Sequence, residues 1–569
     1  MTEQQVLPAT SVPWDVYSRP TARPGTLRLD GNEGNRPDPR LLESLAAVGP
    51  DLLRNYPDLT ELEREIAAKF RIDSGRVVVT AGADDGIDRV CRAFLGPGRE
   101  LLLPIPTFEM LYRFAATAGG SIVTVPWGDV FPTESVIAQI GEQTTLIALV
   151  SPNNPTGRVA SLDDLRRLAA AAEFRVVLLD HAYVEYADED LTEAALQLDN
   201  VVILRTLSKA WGLAGCRVGY ALASPKLANV VRNAGNPYPV SALSSAVAIE
   251  ALRSQSVAAH VDSVRVLRAS LTRRLQQLGA LVAPSQGNFV FAEFGERVRF
   301  VNDALASSGV VVRYFPHRPE LARGLRITVP DNQADASRLI AALDLCLKPE
   351  ALLFDMDGVL ADVELSYRMC TRETASAFGA TIDRGQLEAA VLAGDANNDW
   401  VLTRRLLAAQ GIDVSLAEVT DKYQALYLGT AEVLGLRENE RLIPSPALLR
   451  ELATRLPLGI VTGRPRAEAE WFLTREGVAD LFDTVVCLED GPLKPDPAPV
   501  REAMRRMGVS RVWMVGDTPD DMNAAASAGA LPIGVIAPAD HADRSSTALR
   551  NSGAAAVLTD VAALEEILP

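Results

Sequence analysis

Two separate sets of side chains in this sequence have the types and spacing of catalytic groups. The first centres on Lys209, within Arg205-Thr-Leu-Ser-Lys-Ala-Trp-Gly-Leu-Ala-Gly-Cys-Arg217. A lysine withdrawn from water has a lowered pKa and can form an imine with an aldehyde cofactor near neutral pH. Arg217 follows eight residues later and offers a planar fork for a phosphate, with the Ser208 hydroxyl beside Lys209. The second set is Asp355 and Asp357, in Phe354-Asp-Met-Asp-Gly-Val-Leu-Ala-Asp362. Here Asp355 could attack a phosphorus centre while Asp357 protonates the leaving oxygen and later activates water.

Each set has company at other strand ends. Asp180 follows Val176-Val-Leu-Leu179, where a carboxylate could keep the nitrogen of a pyridine ring protonated. Tyr183, and Asn154 in Ser151-Pro-Asn-Asn-Pro-Thr-Gly157, could both bond the ring's phenolic oxygen. Gly82, Ala83 and Asp84 would present backbone N–H groups and a helix N-terminus to a phosphate. Phe108 could stack on the ring. Together these residues predict a pyridoxal 5'-phosphate site.

Around Asp355, Thr462 offers a hydroxyl to a phosphoryl group and Lys494, in Leu493-Lys-Pro-Asp496, neutralises charge. Asp517 and Asp521 lie in Gly516-Asp-Thr-Pro-Asp-Asp521. Asp355 and Asp517, with the Asp357 carbonyl, make an oxygen-rich site of the kind Mg²⁺ prefers, and Asp521 would orient it. The metal set is therefore Asp355, Asp357, Asp517 and Asp521.

The elements that must position these groups are legible as apolar runs. Val77–Thr80, Leu101–Leu103, Leu146–Val150, Val176–Leu179 and Val201–Leu204 alternate with helical patterns. That alternation predicts an α/β fold with a mainly parallel sheet covered by helices. Long helices at Ala242–Arg253 and Val257–Leu278 come next, then short strands at Asn288–Glu293, Val310–Tyr314 and Leu325–Thr328 and a helix at Gln333–Cys346. These predict a smaller α+β domain. After Lys348-Pro-Glu350 a second α/β pattern begins, with strands at Ala351–Phe354, Leu458–Val461, Thr484–Cys487, Val512–Val515 and Pro532–Val535. A mostly helical insertion of about 90 residues separates its first two strands. Two domains are expected, 1–349 and 350–569. The first would comprise a large domain at about 37–245 and a small one from residues 1–36 plus 246–349, and the second would carry the insertion at about 365–456.

The chain has 569 residues, 48% apolar and 23% charged, which fits a globular enzyme of several units. Its net charge of −17 argues against nucleic acid or an anionic membrane as partner. Five cysteines without a C-x-x-C pair fit a reducing compartment, and the absence of a signal or spanning segment predicts a cytoplasmic protein.

From about residue 10 to residue 348 the chain resembles the fold-type I aminotransferases, in their histidinol-phosphate branch. The matching text is Leu29-Asp-Gly-Asn-Glu33, Tyr56-Pro57, Gly82-Ala-Asp-Asp-Gly-Ile-Asp88, Ser151-Pro-Asn-Asn-Pro-Thr-Gly157, Asp180 with Ala182-Tyr183, Arg205–Ala210, Leu213–Arg217 and Leu325-Arg-Ile-Thr-Val329. The resemblance implies a homodimer in which Tyr56 reaches the phosphate of the neighbouring subunit's cofactor. It implies that Lys209 moves a proton at the substrate carbon, that Arg326, Arg313 and Asn32 bind the substrate, and that the substrate is a phosphorylated small molecule. Three positions depart from the family pattern: Phe108 stands for a tyrosine, His181 for a glutamate, and Trp14 for an amino-terminal tyrosine.

Residues 351–569 resemble the haloacid dehalogenase superfamily phosphatases, with the insertion as a class I helical cap and Gly394-Asp-Ala-Asn-Asn-Asp-Trp400 as a loop over the site. Together the two resemblances imply a bifunctional enzyme of histidine biosynthesis, transaminating with glutamate and 2-oxoglutarate and then removing phosphate. Two alternatives stay open: a transaminase or phospho-amino-acid decarboxylase of another pathway fused to an unrelated phosphatase, and a phosphatase attached to a dimerising scaffold.

Overall fold

The computed structural model of the chain describes residues 24–46, 49–254 and 256–569. Trp14 and most of the expected segment 1–36 lie outside the described residues. By packing, the chain divides into two compact units. One holds the residues up to Gly295 with Val312–Arg338, and the other holds Glu296–Val311 with Leu339–Pro569.

The first unit is built on a seven-stranded sheet. Its spatial order is Val77–Thr80, Gly219–Leu222, Val201–Thr206, Val176–Asp180, Thr144–Val150, Glu100–Ile105 and Ser121–Pro126. Gly219–Leu222 runs antiparallel to both neighbours, whereas the pairings from Val201–Thr206 to Ser121–Pro126 are all parallel. The central strands are buried throughout, which is why each reads as an unbroken apolar run rather than an alternating one. Ile87, Val90 and Leu111 from the covering helices pack with Leu103, Leu146, Leu178 and Val202 of the sheet.

Two strands of this sheet carry no such run. Ser121–Pro126 is an edge strand whose side chains are mostly half-exposed or exposed, and Gly219–Leu222 spells Gly-Tyr-Ala-Leu, short and poor in β-branched residues. A five-stranded sheet follows, ordered Leu27–Leu29, Val310–Tyr314, Gly324–Thr328, Phe289–Glu293 and Leu281–Val282.

The second unit centres on a six-stranded sheet in the order Phe482–Val486, Leu458–Val461, Ala351–Phe354, Val512–Gly516, Leu531–Val535 and Ala556–Leu558. All its pairings are parallel. Ala351–Phe354 lies between the strands that begin at 458 and 512, so the order reverses beside it, and the crevice at its carboxyl end is where such sheets bind ligands. Within the same unit Trp513 is fully buried, donates from Nε1 to the Leu345 carbonyl oxygen at 2.8 Å and packs on Phe300 at 5.1 Å.

The helical insertion is tied at both ends by a ribbon, Ala361–Asp362 paired with Arg441–Leu442. Tyr367–Ala377, Arg384–Leu392, Asp399–Ala409 and Leu416–Leu428 fold between those strands, around Ile382, Leu387, Leu402, Leu407 and Val419. Pro446–Arg455 follows the ribbon and leads into Leu458–Val461. Among the described residues all five cysteines are free, and no helix is long and apolar enough to cross a membrane.

Candidate active sites

In the first unit the strands Val176–Asp180 and Val201–Thr206 run parallel, with Asp180 opposite Leu204, so Asp180 and the segment carrying Ser208 and Lys209 leave the same sheet edge. Asp180 is buried, and its Oδ1 accepts the Ala182 N–H at 3.0 Å. Burial pushes its carboxyl up to about 6; the Ala182 N–H opposes this, the charge of Asp84 adds to it, and that of Lys209 opposes it. The Lys209 Nζ donates to the Gly31 carbonyl oxygen at 3.2 Å and lies 5.4 Å from the Tyr183 ring centre. Gly34 lets the amino-terminal segment lie against the Lys209 backbone, because a Cβ there would fall 1.7 Å from the Lys209 carbonyl oxygen.

The next group is a polar network reaching from the amino-terminal segment to the strand Gly324–Thr328. Asn32 takes a left-handed φ of 52°, which asparagine tolerates better than most residues. Its Nδ2 donates to the Tyr183 hydroxyl at 3.1 Å, and its Oδ1 accepts from Thr328 Oγ1 at 2.8 Å. Arg326 is buried and donates to Asn154 Oδ1 at 2.6 Å and to the Asp30 carbonyl oxygen at 2.5 Å. Arg313 is its direct cross-strand neighbour and lies 3.8 Å from Glu109.

At the phosphate end, the helix Gly82–Phe94 begins at Gly82 with φ of 83°. A Cβ on Gly82 would stand 2.6 Å from Arg217 Nη2, so the missing side chain is what lets the guanidinium lie against the helix start. Arg217 Nη2 also donates to Asp84 Oδ2 at 3.2 Å. Thr206 pairs with Gly219, which pairs with Thr80, and the Thr206 hydroxyl donates to Ser208 Oγ at 2.9 Å, so Ser208 belongs to the same corner. Gly82, Ser208 and Arg217 thus meet at one corner of the sheet, where they and the Ala83 N–H could hold a phosphate such as that of pyridoxal phosphate.

Three further residues are placed as follows. Phe108 precedes the helix Glu109–Thr117 and packs against the sheet's apolar core. Tyr56 is 79% exposed and stacks on Tyr238 at 4.5 Å, outside the network just described. His181 is a packed side chain 3.2 Å from Thr192 Oγ1, with its pKa lowered to about 3 by burial and by Arg205. Arg205 itself, held by Glu185 at 2.9 Å and Asp190 at 2.8 Å, had no distinguishing spacing in the sequence.

In the second unit Lys494 is buried and its Nζ lies 2.8 Å from Asp355 Oδ1 and 2.5 Å from Asp521 Oδ1, while donating to the Val461 carbonyl oxygen at 3.1 Å. Burial acts to lower the Lys494 pKa, but Asp355 and Asp521 outweigh it and the net shift is upward. Asp521 Oδ2 accepts from the Thr518 N–H at 3.0 Å and its hydroxyl at 2.6 Å, so this carboxylate is fully committed.

Asp355, Asp517 and Asp521 each place a carboxylate oxygen within 4.8 Å of the others. Asp517 Oδ1 is buried without any hydrogen-bond partner, and burial first, then Asp521 and Asp355, raises the Asp517 pKa. A buried, unpartnered carboxylate oxygen beside two more acids is costly unless a cation joins it, and the all-oxygen donor set fits Mg²⁺.

The Asp357 carboxylate is not part of that trio. Its Oδ1 lies 2.7 Å from Arg464 Nε and 2.5 Å from Arg464 Nη2, and Arg464 Nη1 is 2.9 Å from Glu440 Oε2. Its side chain is thus held by Arg464, whose role the bare Val461-Thr-Gly-Arg464 run did not disclose. Thr462 is buried, and its Oγ1 accepts the Arg464 N–H at 3.2 Å. A cavity of about 80 Å³ opens here, lined by Asp355, Asp357 and Asp517 from the sheet side and by Asp399 and Trp400 from the helical insertion.

Residues 29–343 match the family described as aminotransferase class I and II, and residues 349–529 match the haloacid dehalogenase-like hydrolases. The chain is 32% identical over 344 residues to histidinol-phosphate aminotransferase 1 of Trichormus variabilis, which takes in 59% of this chain and 96% of that protein. It is 45% identical over 202 residues to an imidazoleglycerol-phosphate dehydratase of Phytophthora nicotianae, 34% of this chain and 44% of that protein. Among solved structures it is similar to the histidinol-phosphate aminotransferase of Sinorhizobium meliloti in complex with pyridoxal-5'-phosphate. That similarity has a TM-score of 0.52 at 28% identity and takes in 56% of this chain and 89% of that one.

Proposed function

From the premise that this chain belongs to the class I and II aminotransferases and carries a haloacid dehalogenase-like hydrolase domain after them, we propose two consecutive reactions on one phosphorylated small molecule. The first half transfers an amino group from glutamate to imidazole-acetol phosphate, yielding histidinol phosphate and 2-oxoglutarate. The second half hydrolyses the phosphate ester to histidinol. The names of the two relatives support this reading, since both compounds are imidazole-bearing phosphate monoesters. The division is at 349/350 by chain order, and the protein acts as a cytoplasmic homodimer.

In the first site Gly82, Ala83, Ser208 and Arg217 hold the cofactor phosphate, and Asp180 keeps the ring nitrogen protonated. When bound, pyridoxal phosphate supplies an electron-withdrawing ring that stabilises negative charge at the substrate carbon. Lys209 Nζ takes the proton from that carbon and returns it elsewhere, which its place beside Asp180 and Tyr183 allows. Arg326 and Arg313, neighbours across one strand pair, grip the substrate's anionic end, and the Asn32 amide holds the Tyr183 hydroxyl in place. Tyr56 reaches the second subunit's cofactor phosphate.

In the second site Asp355 Oδ attacks phosphorus and Asp357 delivers a proton to the departing oxygen, then takes one from water. Thr462 and Lys494 bind phosphoryl oxygens, and Lys494 partly offsets the burial that pushes the Asp355 carboxyl up to about 7. Asp355, Asp517 and the Asp357 carbonyl hold Mg²⁺, which when bound neutralises charge on the phosphoryl group. Asp521 orients that set through Lys494 and Thr518.

The observation that carries the proposal is that each half brings a lysine to a buried aspartate, Lys209 within reach of the charge of Asp180 and Lys494 in an ion pair with Asp355. A panel of phosphorylated amines and oxo acids, scored for amino transfer and for phosphate release, tests it. Lys209→Ala should abolish transfer and spare phosphate release, and Asp355→Asn should do the reverse. Transfer to another oxo acid, with none to imidazole-acetol phosphate, would move the enzyme to a different pathway.

A further inference from the structure

The cavity beside Asp355 has one acid that the phosphatase chemistry does not use. Asp399 opens the helix Asp399–Ala409 of the insertion and lines the cavity with Trp400. Among the described residues its carboxylate takes no hydrogen bond and no ion pair. The two arginines that line the same cavity are engaged elsewhere: Arg464 with Asp357 and Glu440, and Arg368 with Asp540. Burial first, then the charge of Asp357, pushes the Asp399 carboxyl up to about 7, and the more distant charges of Arg464 and Arg368 offset this only in part.

Asp399 is also held in place. The segment before it is clasped by Asp520, whose carboxylate accepts the Asp395 N–H at 3.2 Å, the Ala396 N–H at 3.1 Å and Asn397 Nδ2 at 2.8 Å. Asn397 Nδ2 also donates to the Lys494 carbonyl oxygen at 3.1 Å, and Asn398 caps the helix by accepting the Val401 N–H at 3.0 Å. A carboxylate without a direct ion-pair partner, on a fixed segment, therefore lines the space that a phosphate ester's leaving group must fill, with Trp400 beside it.

We propose that Asp399 recognises an ammonium group on the leaving alcohol, so that the phosphatase selects phosphate esters of amino alcohols over their oxo or hydroxy counterparts. This rests on the phosphatase reading above and narrows it. An amino-group transfer creates that ammonium, and the oxo precursor has none. Asp399 thus enforces order, with amination before phosphate removal, and protects the precursor from being hydrolysed on the chain that must use it.

The test measures phosphate release by the full-length protein on matched ester pairs: histidinol phosphate against its des-amino analogue, and phosphoethanolamine against 2-hydroxyethyl phosphate. The amine of each pair should have the higher kcat/KM by about 10- to 100-fold, the worth of one charge-assisted contact. Asp399→Asn should bring both ratios towards 1. Because each ratio is internal to one preparation, a partly misfolded variant lowers both members alike and leaves it readable. Should Asp399→Asn be inactive on every ester, Asp399→Glu, which moves the carboxylate by one methylene, takes its place and must reduce the ratios.

Ratios near 1 in the unaltered protein, or unchanged in the variants, overturn the proposal. Hydrolysis of phosphoethanolamine in preference to 2-hydroxyethyl phosphate, with none of histidinol phosphate, leaves amine selection standing and removes the histidinol assignment. No hydrolysis of any ester removes the phosphatase reading and this proposal with it.

Discussion

Replacing Asp180 with asparagine should make the cofactor-free protein more stable while destroying its transaminase activity. In the folded chain burial raises the Asp180 pKa from the ordinary 3.8 to about 6. Each unit is about 1.4 kcal/mol, so the ionised carboxylate costs the cofactor-free fold up to about 3 kcal/mol. The sign follows from which state binds the proton more tightly. Below about pH 4 the group is neutral in the folded and the unfolded chain, and there is no penalty. Between about pH 4 and 6 the unfolded chain ionises first and the penalty grows; above about pH 6 it is complete.

The asparagine that replaces Asp180 would keep the oxygen that accepts the Ala182 N–H and carry no charge. Hydrogen exchange of peptides from Val176–Asp180 reports opening of this unit alone. The variant should gain up to about 3 kcal/mol at pH 8 and roughly half of that at pH 5. Pyridoxal phosphate should stabilise the parent more than the variant, because only the parent offers the ring nitrogen a counter-charge. A variant no more stable than the parent at pH 8, or one with the same gain at both pH values, would refute the reasoning.

Two further substitutions test the supports of each site. Gly34→Ala would force a Cβ to 1.7 Å from the Lys209 carbonyl oxygen; the resulting shift of Lys209 should cut transaminase kcat on the order of a hundredfold, with phosphate release by the same protein as the control. Among the described residues, Arg464→Met leaves the Glu440 carboxylate, which is wholly buried, with only the Tyr427 hydroxyl as partner, and should destabilise the second unit by about 3–5 kcal/mol. Adding Glu440→Gln should recover most of that loss, as read by exchange in Leu458–Val461 peptides, and a double variant as unstable as the single one would count against the pairing.

The sequence alone determined the uniformly buried strands that are written as unbroken apolar runs, but not Gly219–Leu222, which is equally buried without one. Val77–Thr80, Ala351–Phe354 and Leu458–Val461 fall where their apolar runs end, because a strand covered on both faces has no polar position to blur its limits. It also determined the polar residues that terminate those strands, since a single Asp180 or Asp355 after four apolar residues is visible without coordinates. The edge strands at Ser121–Pro126 and Ala556–Leu558 were not legible, because half-exposed strands are set by their neighbours and not by their own composition.

Tertiary structure alone decided which acids share a charge environment. In sequence Asp357 looks like a partner of Asp355, yet its side chain is held by Arg464, while Asp521, far along the chain, meets Asp355 through Lys494. Likewise Asp399 reads as one polar residue in a capping loop and becomes an unpaired carboxylate only when the helical insertion sets it beside the cavity. Local propensity depends on near neighbours in the chain, but a carboxylate's charge balance depends on everything within a few ångströms, and only folding brings those groups together.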